Sequence, residues 1–431
     1  MRVKSGILSL APLALFFIVY VASSIAAGDF YRVPLSAVFL LACLFAVAMS
    51  EGTLRRRLEA FSIGAGHPNI LLMIWIFVLS GAFAGVAGET GAVDAAAGLA
   101  LSVIPPGLLY AGLFLTACFI SFAIGTSVGT IASLSPIAAG LAAACGESNA
   151  FMASIVVGGA FFGDNLSFIS DTTIAATRAA GCEMKDKFKA NAIITLPAFL
   201  LVTAIYLHHG WGLSVDFTPA AGEWYKVLPY LLVIVLAFIG KNVVFILSAG
   251  IAAAAAEGFI CGDLDWPRLL VSIGGGIAGM GELIIVTLMA GGLLELIRRG
   301  GGLDLIVGML TGNVRSRRGA QFSIALLVAL ANLCTANNTV AIITTGGIAN
   351  DVSKRFGISP RKTASLLDTF SCFVQGLIPY GAQILMAAGL FKISPASIVP
   401  FLYYPVIMGV SATLSIIFDY PRNAESVSRP E

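Results

Sequence analysis

A hydrophobic pattern with polar interruptions occurs twice in this chain, and the two copies lie about 210 residues apart. The interruptions stand at 125–130 and 163–167 in the first copy, and at 335–339 and 374–379 in the second. The interval between the two interruptions is the same in both copies, so the register is maintained through the repeat. Duplicated hydrophobic halves of this kind are typical of secondary transporters whose binding site lies between the halves.

The composition places the chain in a lipid bilayer. Hydrophobic residues make up 58% of the sequence and charged residues 11%, with a mean hydropathy of +0.94. A soluble domain carries about 25% charged residues, so this chain could not cover its surface in water. The net charge of +2 argues against nucleic-acid binding. Seven cysteines without metal-ligand spacing predict neither a disulfide framework nor a metal cluster, and no cofactor is expected.

Loop charges predict that the second half is inverted relative to the first. Basic residues in short loops mark the cytoplasmic side of a membrane protein. Four pairs of corresponding loops differ in charge: 55–57 and 257–265, 89–94 and 298–299, 146–149 and 354–362, 178–189 and 392–397. We therefore expect an all-α polytopic membrane protein with two inverted-topology repeats. Both termini would be cytoplasmic, and each half would cross the membrane an odd number of times.

Apolar runs of about 20 residues define the expected spans. They lie near 7–27, 32–50, 69–88, 150–177, 190–208, 226–240, 242–257, 271–297, 363–390 and 397–418. Segments 107–145 and 319–350 are predicted helical hairpins with polar tips, either re-entrant or fully crossing. Segments 93–105 and 303–312 are too short to span easily and are expected at the interface.

These elements divide the chain into two repeats and little else. The expected parts are a first repeat at 1–208, a connecting loop at 209–225, a second repeat at 226–418 and a tail at 419–431. Residues 150–177 and 363–390 form the broken helix of each repeat. The run 7–27 is longer than the roughly 7–15 apolar residues of a signal-peptide core, so it is interpreted as a membrane helix.

The polar interruptions are candidate binding positions. A broken helix is tolerated at membrane depth only where it lines protein or a wet cavity. The hairpin tips offer neutral oxygens suited to a hard cation or a polar solute: Thr126, Ser127, Thr130, Asn337, Asn338 and Thr339. The expected helix breaks contain Gly163, Gln375, Gly376 and Pro379. The alternative is that small residues merely allow close helix packing.

Three aspartates in the predicted spans sharpen this hypothesis: Asp164, Asp171 and Asp368. An ionised aspartate at membrane depth is costly unless it is paired, and no lysine or arginine is expected within these spans. Such a carboxylate is stable when protonated or when bound to a cation, which is the basis of proton–cation exchange. Alternatively, each aspartate caps a half-helix. The expected site also includes Asn165, Ser167, Ser170 and Thr172, with Asp164, Asn165 and Asp171 as Na+ ligands.

The segments 162–167, 169–173 and 374–383 resemble the signature motifs of NhaC-type Na+/H+ antiporters, and 289–292 is also similar. Phe168 departs from the pattern, where the family more usually has proline. The resemblance covers most of the chain and implies a scaffold domain and a mobile transport domain that moves like an elevator. Members of this family exchange Na+ or H+, and some exchange small carboxylates or amino acids.

The leading prediction is therefore a Na+/H+ antiporter of a bacterial inner membrane, with Na+ and H+ as the transported ions and the lipid bilayer as its surroundings. Asp368 would modulate charge or carry a second proton. One alternative adds a small organic acid or amino acid, bound at the hairpin tips. An intramembrane aspartyl protease and a passive channel are remote alternatives, and no enzyme activity is expected. A homodimer is compatible with the sequence, which does not define the oligomeric state.

Overall fold

The computed structural model describes residues 2–27, 33–167, 170–213, 224–239, 241–311 and 314–420. In these ranges the chain is helical and contains no strand. The first repeat holds Arg2–Ala26 (α1), Leu35–Met49 (α2), Leu54–Ala65 (α3), Pro68–Glu89 (α4), Ala92–Val103 (α5), Leu109–Ile124 (α6), Ser127–Cys145 (α7), Asn149–Leu166 (α8), Asp171–Ala180 (α9) and Met184–Gly210 (α10).

The second repeat has the same order of helices. It holds Leu228–Phe238 (α11), Val243–Cys261 (α12), Trp266–Gly279 (α13), Gly281–Arg299 (α14), Gly302–Thr311 (α15), Arg317–Thr335 (α16), Asn338–Arg355 (α17), Pro360–Gln375 (α18), Ala382–Phe391 (α19), Pro395–Ile398 (α20) and Tyr403–Ile417 (α21). Helices α1 to α9 therefore correspond to α11 to α19, and α10 corresponds to α20 and α21. This all-helical, duplicated architecture confirms the predicted fold class.

Both hairpin tips turn by the same local mechanism. The α6–α7 turn has Gly125 in the left-handed region at φ +75°, and Thr126 then accepts a hydrogen bond from the Gly129 amide. In the α16–α17 turn, Ala336 is left-handed at φ +49°, and Asn337 accepts from the amide three residues on. A side-chain oxygen at the N-cap position satisfies an amide that the helix leaves free. The polar tips thus begin new helices.

A matching hydrogen bond holds each hairpin to the broken helix of its own repeat. Ser121 Oγ donates to the Ala160 carbonyl oxygen at 2.5 Å. Asn332 Nδ2 donates to the Ser371 carbonyl oxygen at 2.7 Å. The same shift in residue number carries Ser121 onto Asn332 and Ala160 onto Ser371. The register that the sequence predicts is therefore present in side-chain contacts.

Two pairs of helices from different repeats cross where their glycines meet: α3 crosses α14, and α4 crosses α13. A Cβ added at Gly64 would overlap the Gly291 carbonyl oxygen, and one added at Gly276 would overlap the Gly81 carbonyl oxygen. Only residues without a side chain allow backbones to approach this closely. We call α3, α4, α13 and α14 the crossed frame.

Some predicted spans are shorter than expected. Within the described ranges, six helices are long and apolar enough to cross a membrane, or up to eight if each bent pair is one span. The helices at the predicted spans 32–50 and 397–418 hold 15 residues each, fewer than the about 20 that a perpendicular span requires. The predicted span 271–297 is a pair of helices bent by 42°.

One expected loop is helical. The basic segment 55–57 begins α3, because the Thr53 side chain accepts a hydrogen bond from the Arg56 amide and caps a new helix. The expected interfacial segments 93–105 and 303–312 form the short helices α5 and α15. Most of the connecting loop and the tail after residue 420 lie outside the described residues.

Candidate ion-binding site

A cavity of about 830 Å³ lies between the two repeats, bounded by α4, by both hairpin tips and by the broken helices. Ten of the sequence-predicted site residues line it: Thr126, Ser127, Asp164, Ser170, Asp171, Thr172, Asn337, Asn338, Thr339 and Gln375. The N-terminal ends of α7, α9, α17 and α19 all reach its wall. Polar positions from distant parts of the chain thus meet in one place.

Asp164 lies beside the N-terminus of the half-helix α7 and is 4% exposed. Its Oδ1 accepts from the Ser127 amide at 3.1 Å, and its Oδ2 accepts from Ser127 Oγ at 2.5 Å. The partial positive charge of a helix N-terminus favours a carboxylate at this position. Asp164 therefore caps a half-helix and lines the cavity at the same time. No lysine or arginine of the described ranges forms an ion pair with it.

A chain of hydrogen bonds connects Asp164 to the second repeat. Gln375 donates to Gln383 Oε1 at 2.9 Å, and Gln383 donates to Ser127 Oγ at 3.0 Å. Ser127 then donates to Asp164. Gln375 occupies the position in the second repeat that Asp164 occupies in the first, under the same shift in residue number as the hairpin contacts. The two repeats thus place a carboxylate and a neutral amide at equivalent positions, linked through two side chains.

Asp171 is exposed to the cavity as the first residue of α9. The hydroxyl groups of Ser170 and Thr172 lie 2.8 Å apart beside it, and Thr172 donates to the Asp164 carbonyl oxygen at 3.2 Å. Two carboxylates and two hydroxyl groups are therefore arranged around the break between α8 and α9. Such oxygens are suitable ligands for a hard cation.

Asp368 does not line the cavity, and the expectation that no basic residue neutralises it is wrong. Lys187 Nζ lies 3.0 Å from Asp368 Oδ2, and both side chains are at most 1% exposed. Asn191 also donates to Oδ2, at 2.7 Å. The sequence placed Lys187 in a cytoplasmic loop. In the structure α10 begins at Met184, so Lys187 is in its first turn and its long side chain reaches inward.

Lys187 also connects the two parts of the broken helix, α8 and α9. Its Nζ donates to the Asn165 carbonyl oxygen at 2.8 Å and to Thr173 Oγ1 at 2.6 Å. Asn191 donates to the same Asn165 carbonyl at 2.8 Å. We call Lys187, Asn191 and Asp368 the buried clamp. It fixes the end of α8, one residue after Asp164, to α10 and α18.

The remaining predicted positions are close to the site but do not form its wall. Asn165 is fully buried, and its amide donates to the Phe161 carbonyl and to the Tyr404 hydroxyl. Thr130 donates to the carbonyl of Thr126. The others outside the cavity wall are Ser167, Gly163, Gly376 and Pro379. Phe168 lies outside the described residues.

Gly163 was expected at a helix break, but α8 continues through it to Leu166. A Cβ at this position would overlap the side chain and backbone of Ser121. The glycine is therefore required for close contact between α6 and α8. In the second repeat, α18 ends at Gln375, and Gly376 and Pro379 lie in the break that follows.

Two polar residues of the cavity wall, Arg178 and Gln383, were not predicted as site residues. Arg178, on α9, is exposed and lines the cavity wall. Gln383, on α19, joins the hydrogen-bond chain and is 4% exposed. The sequence did contain a signal for Gln383, because the repeat register aligns this residue with Thr172, which was a predicted site residue. Arg178 had none, since it begins a basic segment that the charge pattern already explained.

A buried carboxylate that lies between two repeats, each with a broken helix, defines a multi-pass membrane transporter of the secondary type. The chain belongs to the Na+/H+ antiporter family, whose sequence profile matches residues 7–211 and 219–420. This confirms the resemblance to NhaC-type proteins.

Individual relatives are distant. The chain is 23% identical to the Na+/H+ antiporter NhaC of Alkalihalophilus pseudofirmus over 423 residues, 90% of each sequence. It is 24% identical to the malate-2H+/Na+-lactate antiporter of Bacillus subtilis over 390 residues, 82% of each. Its structure matches the YdaH transporter of Alcanivorax borkumensis with a TM-score of 0.45 and 14% identity, covering 90% of this chain and 99% of that one.

Proposed function

We propose that this protein exchanges Na+ for H+ across a bacterial inner membrane, and that Asp164 binds the two ions alternately. One observation carries the proposal: Asp164 is buried at the cavity and forms no ion pair within the described ranges, whereas nearby Asp368 is paired with Lys187. A buried, unpaired carboxylate is stable only with a bound cation or a proton. The two ions therefore compete for one group.

Na+ would be held by oxygen atoms around the α8–α9 break. Asp164 supplies a buried carboxylate, and Asp171 a second one that reaches the cavity from α9. The hydroxyl groups of Ser170 and Thr172 are within reach of the same space. Ser127 orients Asp164 from the hairpin tip. The predicted amide ligand Asn165 would contribute only after its side chain turned away from Tyr404.

Alternating access would come from motion of the hairpins and broken helices against the crossed frame. The cavity wall contains α4 of the frame on one side and the hairpin tips on the other. The Arg178 end of the cavity belongs to the basic side of the molecule, which the loop charges assign to the cytoplasm. The cavity would then open to the cytoplasm in this state, and an elevator-like displacement would carry the site outward.

The test uses purified protein in liposomes that contain a pH-sensitive dye. Addition of Na+ to the wild type is expected to move protons, and Asp164→Asn is expected to abolish this movement while remaining folded and inserted. Asp351→Asn, which changes an exposed carboxylate on α17, is the matched control and should transport normally. Transport by Asp164→Asn at the wild-type rate would refute the assignment.

A second candidate function has a specific observation in its favour. Four helix N-termini and the Arg178 side chain border the cavity, whose volume of about 830 Å³ exceeds the need of a single Na+. Helix N-termini and arginine both favour carboxylate groups. A relative is a malate-2H+/Na+-lactate antiporter. Malate or lactate would then be exchanged together with the coupling ions.

The same liposomes separate the two functions. Proton movement that requires malate or lactate, and that Arg178→Gln reduces at least tenfold, would favour organic-acid exchange. Arg55→Gln, which removes an exposed arginine of the same charge from α3, is the matched control. Proton movement with Na+ alone, insensitive to Arg178→Gln, would favour the inorganic antiporter.

A further inference from the structure

A second and smaller cavity, of about 340 Å³, lies between α14 and α19. Its wall includes Leu283 and Val286 of α14, and Leu385 and Gly389 of α19. None of these residues belongs to the candidate ion site. The N-terminal end of α19 reaches the large cavity through Gln383, and its other end lines the small one. A single helix of 10 residues, about 15 Å long, therefore separates the two cavities.

The two cavities are counterparts in the repeat. The large cavity is lined by α4 and α9, which correspond to α14 and α19. The shift in residue number that relates the hairpin contacts of the two repeats also relates each helix of the first pair to its counterpart, to within one position. The matching wall residues are Met73 and Leu283, Ile76 and Val286, Ile174 and Leu385, Arg178 and Gly389. Equivalent pairs of helices therefore line a cavity of about 830 Å³ in one repeat and a cavity of about 340 Å³ in the other.

Val286 and Leu385, the wall residues on the side of the ion site, are fully buried, so packing between α14 and α19 closes the small cavity on that side. The two helices are also in close contact further along α19. A Cβ added at Gly389 would lie 2.5 Å from Leu283 Cδ1 and 2.8 Å from Met280 Sδ. At its other end the cavity reaches exposed charges. Glu282 accepts hydrogen bonds from the Ser36 amide and hydroxyl, and Lys392 ends α19. Exposed charged groups mark an aqueous boundary, so this end opens to water rather than to hydrocarbon.

We propose that the small cavity is the outer vestibule of the transport route. In the opposite state α19 separates from α14, which connects the vestibule to the ion site, while α9 closes against α4. The two repeats thereby exchange conformations, as equivalent helix pairs in an inverted duplication can do. This inference rests on the proposed transport function, but not on which ion or solute is carried.

The test introduces cysteine pairs into a variant without the seven native cysteines. Leu283→Cys with Gly389→Cys should form a disulfide readily in the resting protein, because the first change removes the Leu283 Cδ1 atom that the new Cβ would meet, and the end of the flexible Met280 side chain can move aside. The disulfide should abolish transport, and a reducing agent should restore it. Val286→Cys with Leu385→Cys, joined by a short reagent that carries two thiol-reactive maleimide groups, tests the same contact if Gly389→Cys does not fold.

The matched pair is Ile76→Cys with Ile174→Cys, at the positions of the first repeat that correspond to Val286 and Leu385. It lines the large cavity, so its cross-link should form slowly and only when the protein visits the opposite state. Cross-linking reports the motion directly, whatever the transported ion. Undiminished transport with the α14–α19 disulfide formed would overturn the proposal, as would failure of the α4–α9 pair to cross-link under any condition. If both cross-links form but Na+ moves no protons, the vestibule stands and the proposed ion is wrong.

Discussion

Replacing Lys187 with methionine removes the cation that contacts Asp368 in the buried clamp. Asp368 is fully buried, and its Oδ1 has no hydrogen-bond partner in the part of the chain that the structure describes. Removing one partner of a buried ion pair leaves an uncompensated charge and costs about 3–5 kcal/mol. We expect Lys187→Met to lower the free energy of unfolding by this amount, which reduces the folded-to-unfolded ratio more than about 100-fold.

Removing both charges should be far less harmful. A buried ion pair replaced by apolar residues of similar volume is often close to neutral in stability. We expect Lys187→Met combined with Asp368→Leu to recover at least about 2 kcal/mol of the loss caused by Lys187→Met, which is within the range of measured coupling energies. The carbonyl of Asn165 would still lose one donor but keep Asn191.

The measurement is reversible unfolding in mixed detergent micelles, followed by tryptophan fluorescence for the wild type, both single variants and the double variant. Arg55→Met is the control, because Arg55 forms an ion pair with Glu59 in which the two side chains are 89% and 56% exposed. Its cost should be about 0–1 kcal/mol. Two results would show that Lys187 and Asp368 have no coupling energy. One is wild-type stability of Lys187→Met, and the other is a double variant whose loss in free energy of unfolding equals the sum of the two single losses.

Three further predictions concern the site and its packing. Ser127→Ala removes a hydroxyl donor to Asp164. Because hydrogen bonds to charged groups contribute about 1.5–3 kcal/mol, the Na+ concentration for half-maximal proton movement should rise about tenfold or more. An unchanged concentration would contradict the assigned contact. Asp171→Asn should weaken Na+ dependence without abolishing transport, measured in the same liposomes. Gly163→Ala should prevent recovery of folded protein in detergent, whereas Gly88→Ala, with open space around it, should be tolerated.

The sequence predicted the repeat and the hairpin tips because these features are local. A run of apolar residues broken by Thr126 or Asn337 has few alternatives to a helix that ends and begins again. The same logic placed Asp164 at a polar interruption. Its hydrogen-bond partner Ser127 was in the predicted site, although the bond between them follows only from the packing of α7 against α8.

The buried clamp could not be predicted in this way. Lys187 and Asp368 are far apart in the chain, and a lysine next to Lys185 and Lys189 in sequence is typical of a cytoplasmic loop. Only the tertiary structure brings its ammonium group to a carboxylate. The prediction for Gly163 failed for a related reason, since a glycine that breaks a helix and one that admits a neighbour have the same sequence signature.

The paired glycines of the crossed frame restrict how this family of sequences can change over time. Gly64 and Gly81 each face a backbone carbonyl of the other repeat, and no substitution in the partner can remove a backbone atom. A side chain at either position therefore has no compensating mutation. The cavity wall, by contrast, is lined largely by side chains that can be exchanged one at a time. Substitutions at the wall can therefore change what the cavity accepts, whereas the glycines of the frame stay fixed.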